Sequence, residues 1–411
     1  MTFVQTTTTK STPAQEQPQG HLPTLIASFI HFDLSFMLWV LLGGLGIYIT
    51  ESLGLNAAQK GLMVAVPILS GSLLRVPLGL LGDRFGGKRV GAAMLAFLFL
   101  PLTLLWLTAA SLPALLVIGL MLGTAGASFA VALPLASRSY PPQRQGLVMG
   151  IAAAGNSGAV ITNLLAPLLA ERIGWRNVFG LATGPLAIVL IAFVLLARDN
   201  TAQPKGQPIS NYLCILKQSD LWWFCLFYSV TFGGYVGLSS FLPLFYRDQY
   251  SVAPITAGYL TALTALSGSL ARPLGGYLAD RAGGARVLSV LLALIGAAYL
   301  LAAQLPSLEL MTAIITGGSV CLGLGNGAVF QLVPQRFRHQ LGVATGVIGA
   351  IGGVGGFLLP NLLGQIKQAS GSFRHGFLVL ALAALICAWP ARASQRWQRS
   401  VPSPVEALEE I

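Results

Sequence analysis

Residues 71–90 read GSLLRVPLGLLGDRFGGKRV, and residues 268–287 read GSLARPLGGYLADRAGGARV. Twelve of the twenty positions are identical without a gap, at an offset of 197 residues. Each copy sets one arginine, Arg75 or Arg272, inside an apolar run and closes on an aspartate, a basic residue and a glycine pair. A stretch repeated almost half a chain length away marks two related halves. Such duplication suits a transporter with its site where the halves meet; by itself it suits a structural pseudo-dimer as well.

The rest of the sequence says what kind of halves these are. Of 411 residues, 55% are hydrophobic and 9% are charged, against roughly 25% charged in soluble proteins. Mean hydropathy is +0.73. So few charges cannot cover a soluble globule, and so apolar a chain is not disordered. A spanning helix needs ~20 mostly apolar residues. Twelve segments qualify, at 22–50, 58–81, 89–110, 112–137, 145–170 and 176–197, then 220–246, 255–279, 286–304, 310–333, 341–365 and 375–392. The expected fold is an all-α integral membrane protein of two pseudo-symmetric six-helix bundles, 21–198 and 220–393. A linker at 199–219 joins them, with a disordered tail at 1–20 and a second tail at 394–411.

With both termini cytoplasmic, sixteen of the 24 Lys and Arg fall on the cytoplasmic side and six on the other, as the positive-inside rule requires. The two left over are Arg75 and Arg272. The net charge of +11 is spread over short loops, so nucleic acid is not an expected partner. Cys214, Cys225, Cys321 and Cys387 form no CxxC pair, and neither a disulfide framework nor a metal site is expected. No HExxH or P-loop is present, and the four histidines are scattered, so no enzyme chemistry and no cofactor are expected.

The end of each repeat, Gly79 to Arg89 and Gly276 to Arg286, resembles the loop motif of the major facilitator superfamily. Its elements here are Gly79, Asp83, Arg84, Gly86, Lys88 and Arg89, then Gly276, Asp280, Arg281 and Gly283. That resemblance implies a role in gating and a monomer. Three further runs are similar to the NarK-like nitrate/nitrite porters: GIAAAGNSGA at 150–159, GLGNGAVFQLVP at 323–334 and GVATGVIGAIGGVGGF at 342–357. Nitrate and nitrite are the substrates this implies; the residues alone say only a small anion. Most of these glycines are read as helix-packing positions.

Arg75 and Arg272 each lie eight residues before the loop aspartate, which is ~12 Å along a helix and so near the middle of a ~30 Å apolar core. A buried arginine there costs at least ~2.5–3.5 kcal/mol. Two such cations facing a shared cavity repel one another unless an anion lies between them, and guanidinium matches a flat oxyanion through coplanar N–H donors. The alternative ties both arginines to helix C-terminal carbonyls. The family resemblance matches them to the two substrate arginines. Asn156, and more weakly Asn163, are candidate amide donors to the anion. Phe129, Tyr228 and Phe232 are candidate aromatic walls; Tyr228 and Phe232 are four apart and share a helix face. Tyr235 is a further candidate.

Asp33 stands alone as a carboxylate well inside a span. One reading has it take up a proton and couple proton entry to anion entry; the other fixes it in a salt bridge to Arg75. His31, two residues away, points elsewhere on the helix and is at best a secondary proton carrier. The expected function is alternating-access transport of nitrate and/or nitrite across the inner membrane, as proton-coupled nitrate uptake or as nitrate/nitrite exchange. A porter for another small organic anion or drug is the alternative.

Overall fold

The computed structural model describes residues 20–108, 111–199, 215–337 and 341–393. Both expected tails and most of the expected linker lie outside the described residues. The fold is all-α, and among the described residues eleven helices are long and apolar enough to cross a membrane. In chain order the helices are α1 (Leu22–Trp39), α2 (Ala57–Phe85), α3 (Gly87–Thr108), α4 (Leu112–Arg138), α5 (apolar stretch Val148–Ile173) and α6 (Trp175–Leu196). There follow α7 (Ser219–Tyr250), α8 (Pro254–Ala282), α9 (Gly284–Ala302), α10 (Leu308–Arg336), α11 (Leu341–Ser370) and α12 (Arg374–Ala393). Helix α8 has the length of a span, 29 residues, but its Thr, Ser and Gly dilute it, and it is not one of the eleven.

The segment 22–50 is not the single helix that hydropathy suggests. It breaks after Trp39 and continues as two short pieces, Leu41–Gly44 and Gly46–Leu53. Helix α2 starts on a capping box, in which Asn56 and Gln59 each accept the other's backbone N–H. It is interrupted at Leu74, so Arg75 opens a second segment, Arg75–Phe85. Two further helices loosen into 3₁₀ turns, Gly123–Ser128 within α4 and Ala154–Ser157 within α5. Such turns inside a long helix mark places that bend.

Helices α7 and α11 pack on each other, as do α8 and α10, α9 and α12, and α3 and α6. Contacts between the first and second halves of the chain run through α2 with α11, α5 with α8, and the end of the first span with α7. Small residues permit this closeness. A Cβ on Gly61 would strike the Pro360 carbonyl, and one on Gly43 would strike Ser240 backbone. Large apolar side chains such as Ile188, Leu195 and Trp389 stay exposed on the outer helices, as a lipid-facing surface requires.

The two faces of the molecule differ. On the face away from the repeated loops, Lys60 Nζ meets Asp248 Oδ1 at 2.7 Å and Arg247 meets Glu51 Oε1 at 2.9 Å, both joining the two halves. On the loop face, the described ion pairs, Asp83 with Arg138 and Asp220 with Arg336, each stay within one half. A Cβ on Gly150 or Gly346, near that face, would meet nothing within 4 Å. Among the described residues, the ion pairs that join the halves lie on the face away from the repeated loops.

Candidate functional site

Arg75 is fully buried. Its Nε donates to the Gly126 carbonyl at 3.2 Å and its Nη1 to the Gly349 carbonyl at 2.5 Å. The 3₁₀ turn of α4 presents the first oxygen, and the glycine-rich run of α11 presents the second from the other half. Nη2 has no partner. Three rings surround the guanidinium carbon, with centroids at 5.5 Å for Trp39, 5.1 Å for Phe129 and 4.9 Å for Phe232. Cation–π contact of this kind steadies a desolvated arginine.

Arg272 is half-buried on α8. Its Nη1 is buried without a partner, and its guanidinium lies 5.8 Å from the Phe330 centroid. Arg75 and Arg272 are close enough to repel each other, and the Tyr228 side chain feels both. Tyr228 stacks flat on Phe232 at 4.9 Å and meets Phe330 edge-on at 4.9 Å. Its hydroxyl is buried and lies beside the Arg272 guanidinium. An aromatic enclosure thus holds three polar groups together: the unpartnered nitrogens of Arg75 and Arg272, and the Tyr228 hydroxyl beside Arg272. Each unsatisfied buried donor costs ~1–3 kcal/mol, and more when charged. A flat anion placed among them would relieve both nitrogens.

The other sequence candidates sit differently. Phe129 joins the enclosure, 6.0 Å from Phe330. Asn156 is buried in the α5 turn with its Oδ1 unpartnered, and no described contact joins it to either arginine. Asn163 spends its amide on the Ala159 and Ser239 carbonyls, at 2.8 and 3.1 Å, and so ties α5 to α7. The Tyr235 hydroxyl is engaged by Ser269 Oγ at 2.7 Å and the Ala265 carbonyl at 3.2 Å.

Asp33 is not in a salt bridge to Arg75, whose bonds go to carbonyls instead. Its Oδ1 accepts from Ser157 Oγ at 2.7 Å, in the 3₁₀ turn of α5, and the Gly158 backbone also bonds to it. No described ion pair involves it. His31 points the other way, as its spacing requires. Its Nε2–H donates to the Gly91 carbonyl at 3.1 Å, and its ring lies 4.7 Å from Phe193. The structure does not bring His31 to the arginine pair.

In the repeated loops, Gly86 and Gly283 both take positive φ, 96° and 86°, which favours glycine. Asp199 accepts the Lys88 backbone N–H at 3.0 Å, and Asp280 accepts from Gln331 at 2.8 Å. Arg84 and Arg281 each rest on a ring, Phe85 at 5.4 Å and Tyr277 at 4.4 Å. Gly79 and Gly276 face α4 and α10 at ordinary contact distance. Arg89 is exposed at the start of α3.

Trp39, Phe330 and the Gly126 and Gly349 carbonyls went unmarked as candidates. Phe330 is the aromatic of the run at 323–334, which was the available signal; the carbonyls left none.

Comparison with known proteins agrees with this architecture. The Major Facilitator Superfamily model matches residues 25–360. The "Nitrite extrusion protein" of Bacillus subtilis (strain 168) is 35% identical over 351 residues, covering 85% of this chain and 88% of that protein. The "Probable nitrate/nitrite antiporter NarK1" of Thermus thermophilus is 34% identical, covering 91% and 92%. A bacterial homologue of the human lysosomal transporter Spinster, crystallised inward-facing and occupied, superposes with a TM-score of 0.72 at 18% identity, over 92% of this chain and 98% of that one. The chain belongs to the Major Facilitator Superfamily and, within it, to the NarK-like nitrate/nitrite porters, a class of transporters rather than enzymes.

Proposed function

We propose that this protein moves nitrate and/or nitrite across the inner membrane by alternating access, with the anion held between Arg75 and Arg272. The observation that carries this reading is the pair of unpartnered nitrogens, Arg75 Nη2 and Arg272 Nη1, inside one aromatic enclosure with the Tyr228 hydroxyl beside Arg272. Nitrate and nitrite are planar monoanions, and their oxygens can accept from coplanar guanidinium donors. The names of the relatives point to the same two ions.

The twelve helices work as two pseudo-symmetric bundles, 21–198 and 220–393, linked by 199–219. Both termini and the repeated loops are cytoplasmic, so the face that the inter-half ion pairs Lys60–Asp248 and Arg247–Glu51 hold shut is the outward one. The anion neutralises the arginine pair, which lets the halves rock around it. The chain works as a monomer.

Proton-coupled nitrate uptake is the mode we favour, because Asp33 lacks a cation partner and bonds to Ser157 instead. Nitrate/nitrite exchange is the second mode; the anion itself screens the arginines, and exchange needs no carboxylate. The test is labelled-nitrate flux in proteoliposomes, with internal nitrite and pH varied separately. Uptake driven by an inward pH gradient without internal nitrite is expected. Flux that requires internal nitrite and ignores pH would establish exchange. Protection from unfolding by organic acids but not by nitrate would overturn the substrate assignment.

A further inference from the structure

The two copies of the repeat share a sequence but not a surface. In the first copy, the segment Arg75–Phe85, α3 and the 3₁₀ turn of α4 enclose an apolar groove of about 410 Å³, within the ~300–1,000 Å³ range of small-molecule sites. Its walls include Leu78, Leu81, Phe85, Ala93 and Phe97, and Arg89 is at its mouth. Leu81, Phe85 and Phe97 are 40%, 51% and 39% exposed, so the groove opens on the surface that meets the bilayer.

The second copy is lined differently at the equivalent place. At the positions equivalent to Leu74, Leu78 and Phe85 stand Ala271, Gly275 and Ala282. Gly275 lets α8 press against α10 so closely that a Cβ there would collide with the Leu324 backbone. The charges differ in availability as well. Asp83 is taken by Arg138, and Asp199 by the Lys88 amide. Among the described residues Arg89 has no carboxylate partner.

We infer that this groove binds an anionic phospholipid, with one acyl chain along the Leu78–Phe97 wall and the phosphate on Arg89. A membrane-facing apolar slot with an unpaired guanidinium at the end nearer the headgroups matches that ligand in both parts. A zwitterionic lipid offers the same chain with a weaker claim on the arginine. The occupied wall is the back of the segment that carries Arg75 and Asp83, so a seated chain braces the segment that moves when the halves rock. This inference is independent of which ion is transported.

The test uses the full-length protein in detergent, titrated with dioleoylphosphatidylglycerol or dioleoylphosphatidylcholine and read by native mass spectrometry of the folded monomer. The wild type should retain the phosphatidylglycerol in preference to the phosphatidylcholine. Arg89→Gln should lower phosphatidylglycerol binding about fivefold, the worth of one basic residue at an anionic surface. Ala93→Trp and the milder Ala93→Leu should lower it by filling the slot, and Arg286→Gln, at the equivalent place in the second copy, should leave it unchanged. Equal loss in Arg286→Gln and Arg89→Gln, wild-type binding in both Ala93 variants, or equal retention of the two lipids would overturn the proposal.

Discussion

Arg75 Nη1 donates a 2.5 Å hydrogen bond to the Gly349 carbonyl, so a cation from the first half of the chain is held by backbone from the second. The contact makes the candidate site and the interface between the halves one structure, so a change in one should be read in the other.

The interface can be tested without touching the arginines. A Cβ on Gly352 would strike the Tyr228 ring, whereas one on Gly346, a turn and a half earlier, would meet nothing within 4 Å. Gly352→Ala should therefore cost ~1–3 kcal/mol of stability through overpacking and should weaken nitrate binding by displacing Tyr228. Gly346→Ala should leave the unfolding temperature unchanged. Thermal unfolding with and without nitrate reads both; equal effects would show that the enclosure is not tightly packed there.

The ion pairs Lys60–Asp248 and Arg247–Glu51 close the face opposite the repeated loops. Partly exposed pairs are worth ~0–1 kcal/mol each. Removing both, as Lys60→Gln with Glu51→Gln, should lower the population open on the loop side by up to about thirtyfold. Labelling of a cysteine placed at Gly150 measures that population. Unchanged labelling would mean that the pairs do not set the balance.

Asp33 bonds to Ser157 in the bend of α5, so its protonation state bears on how α1 and α5 fit together. Asp33→Asn keeps the size of the side chain and removes the charge. It should abolish nitrate accumulation driven by a pH gradient while nitrate counterflow continues. Accumulation at the wild-type rate would remove Asp33 from the coupling.

Why some of this was legible in the sequence and some was not follows from particular residues. Arg75 and Arg272 stood out because a charge inside an apolar run is expensive and the repeat placed both at one depth. The split between Asp33 and His31 followed from helix periodicity, which sends residues two apart to different faces. The carbonyls of Gly126 and Gly349 left no mark, because a carbonyl belongs to every residue and only tertiary packing aims it. Phe330 was one aromatic among many until α10 was set beside α7. Of the two readings of Asp33, the salt bridge to Arg75 is not formed, because depth along two helices says nothing about rotation around them. The breaks after Trp39 and at Leu74 fall on apolar residues that hydropathy reads as continuous helix.

The central claim is that two guanidinium groups recognise the anion through directional donors as well as through charge. Nitrate affinity of the purified protein, measured calorimetrically for the wild type, Arg75→Lys and Arg272→Lys, tests it most directly. Each lysine keeps the charge and loses the planar fork, so each affinity should fall at least about tenfold, the worth of one charge-assisted hydrogen bond. Wild-type affinity in both variants would contradict the account.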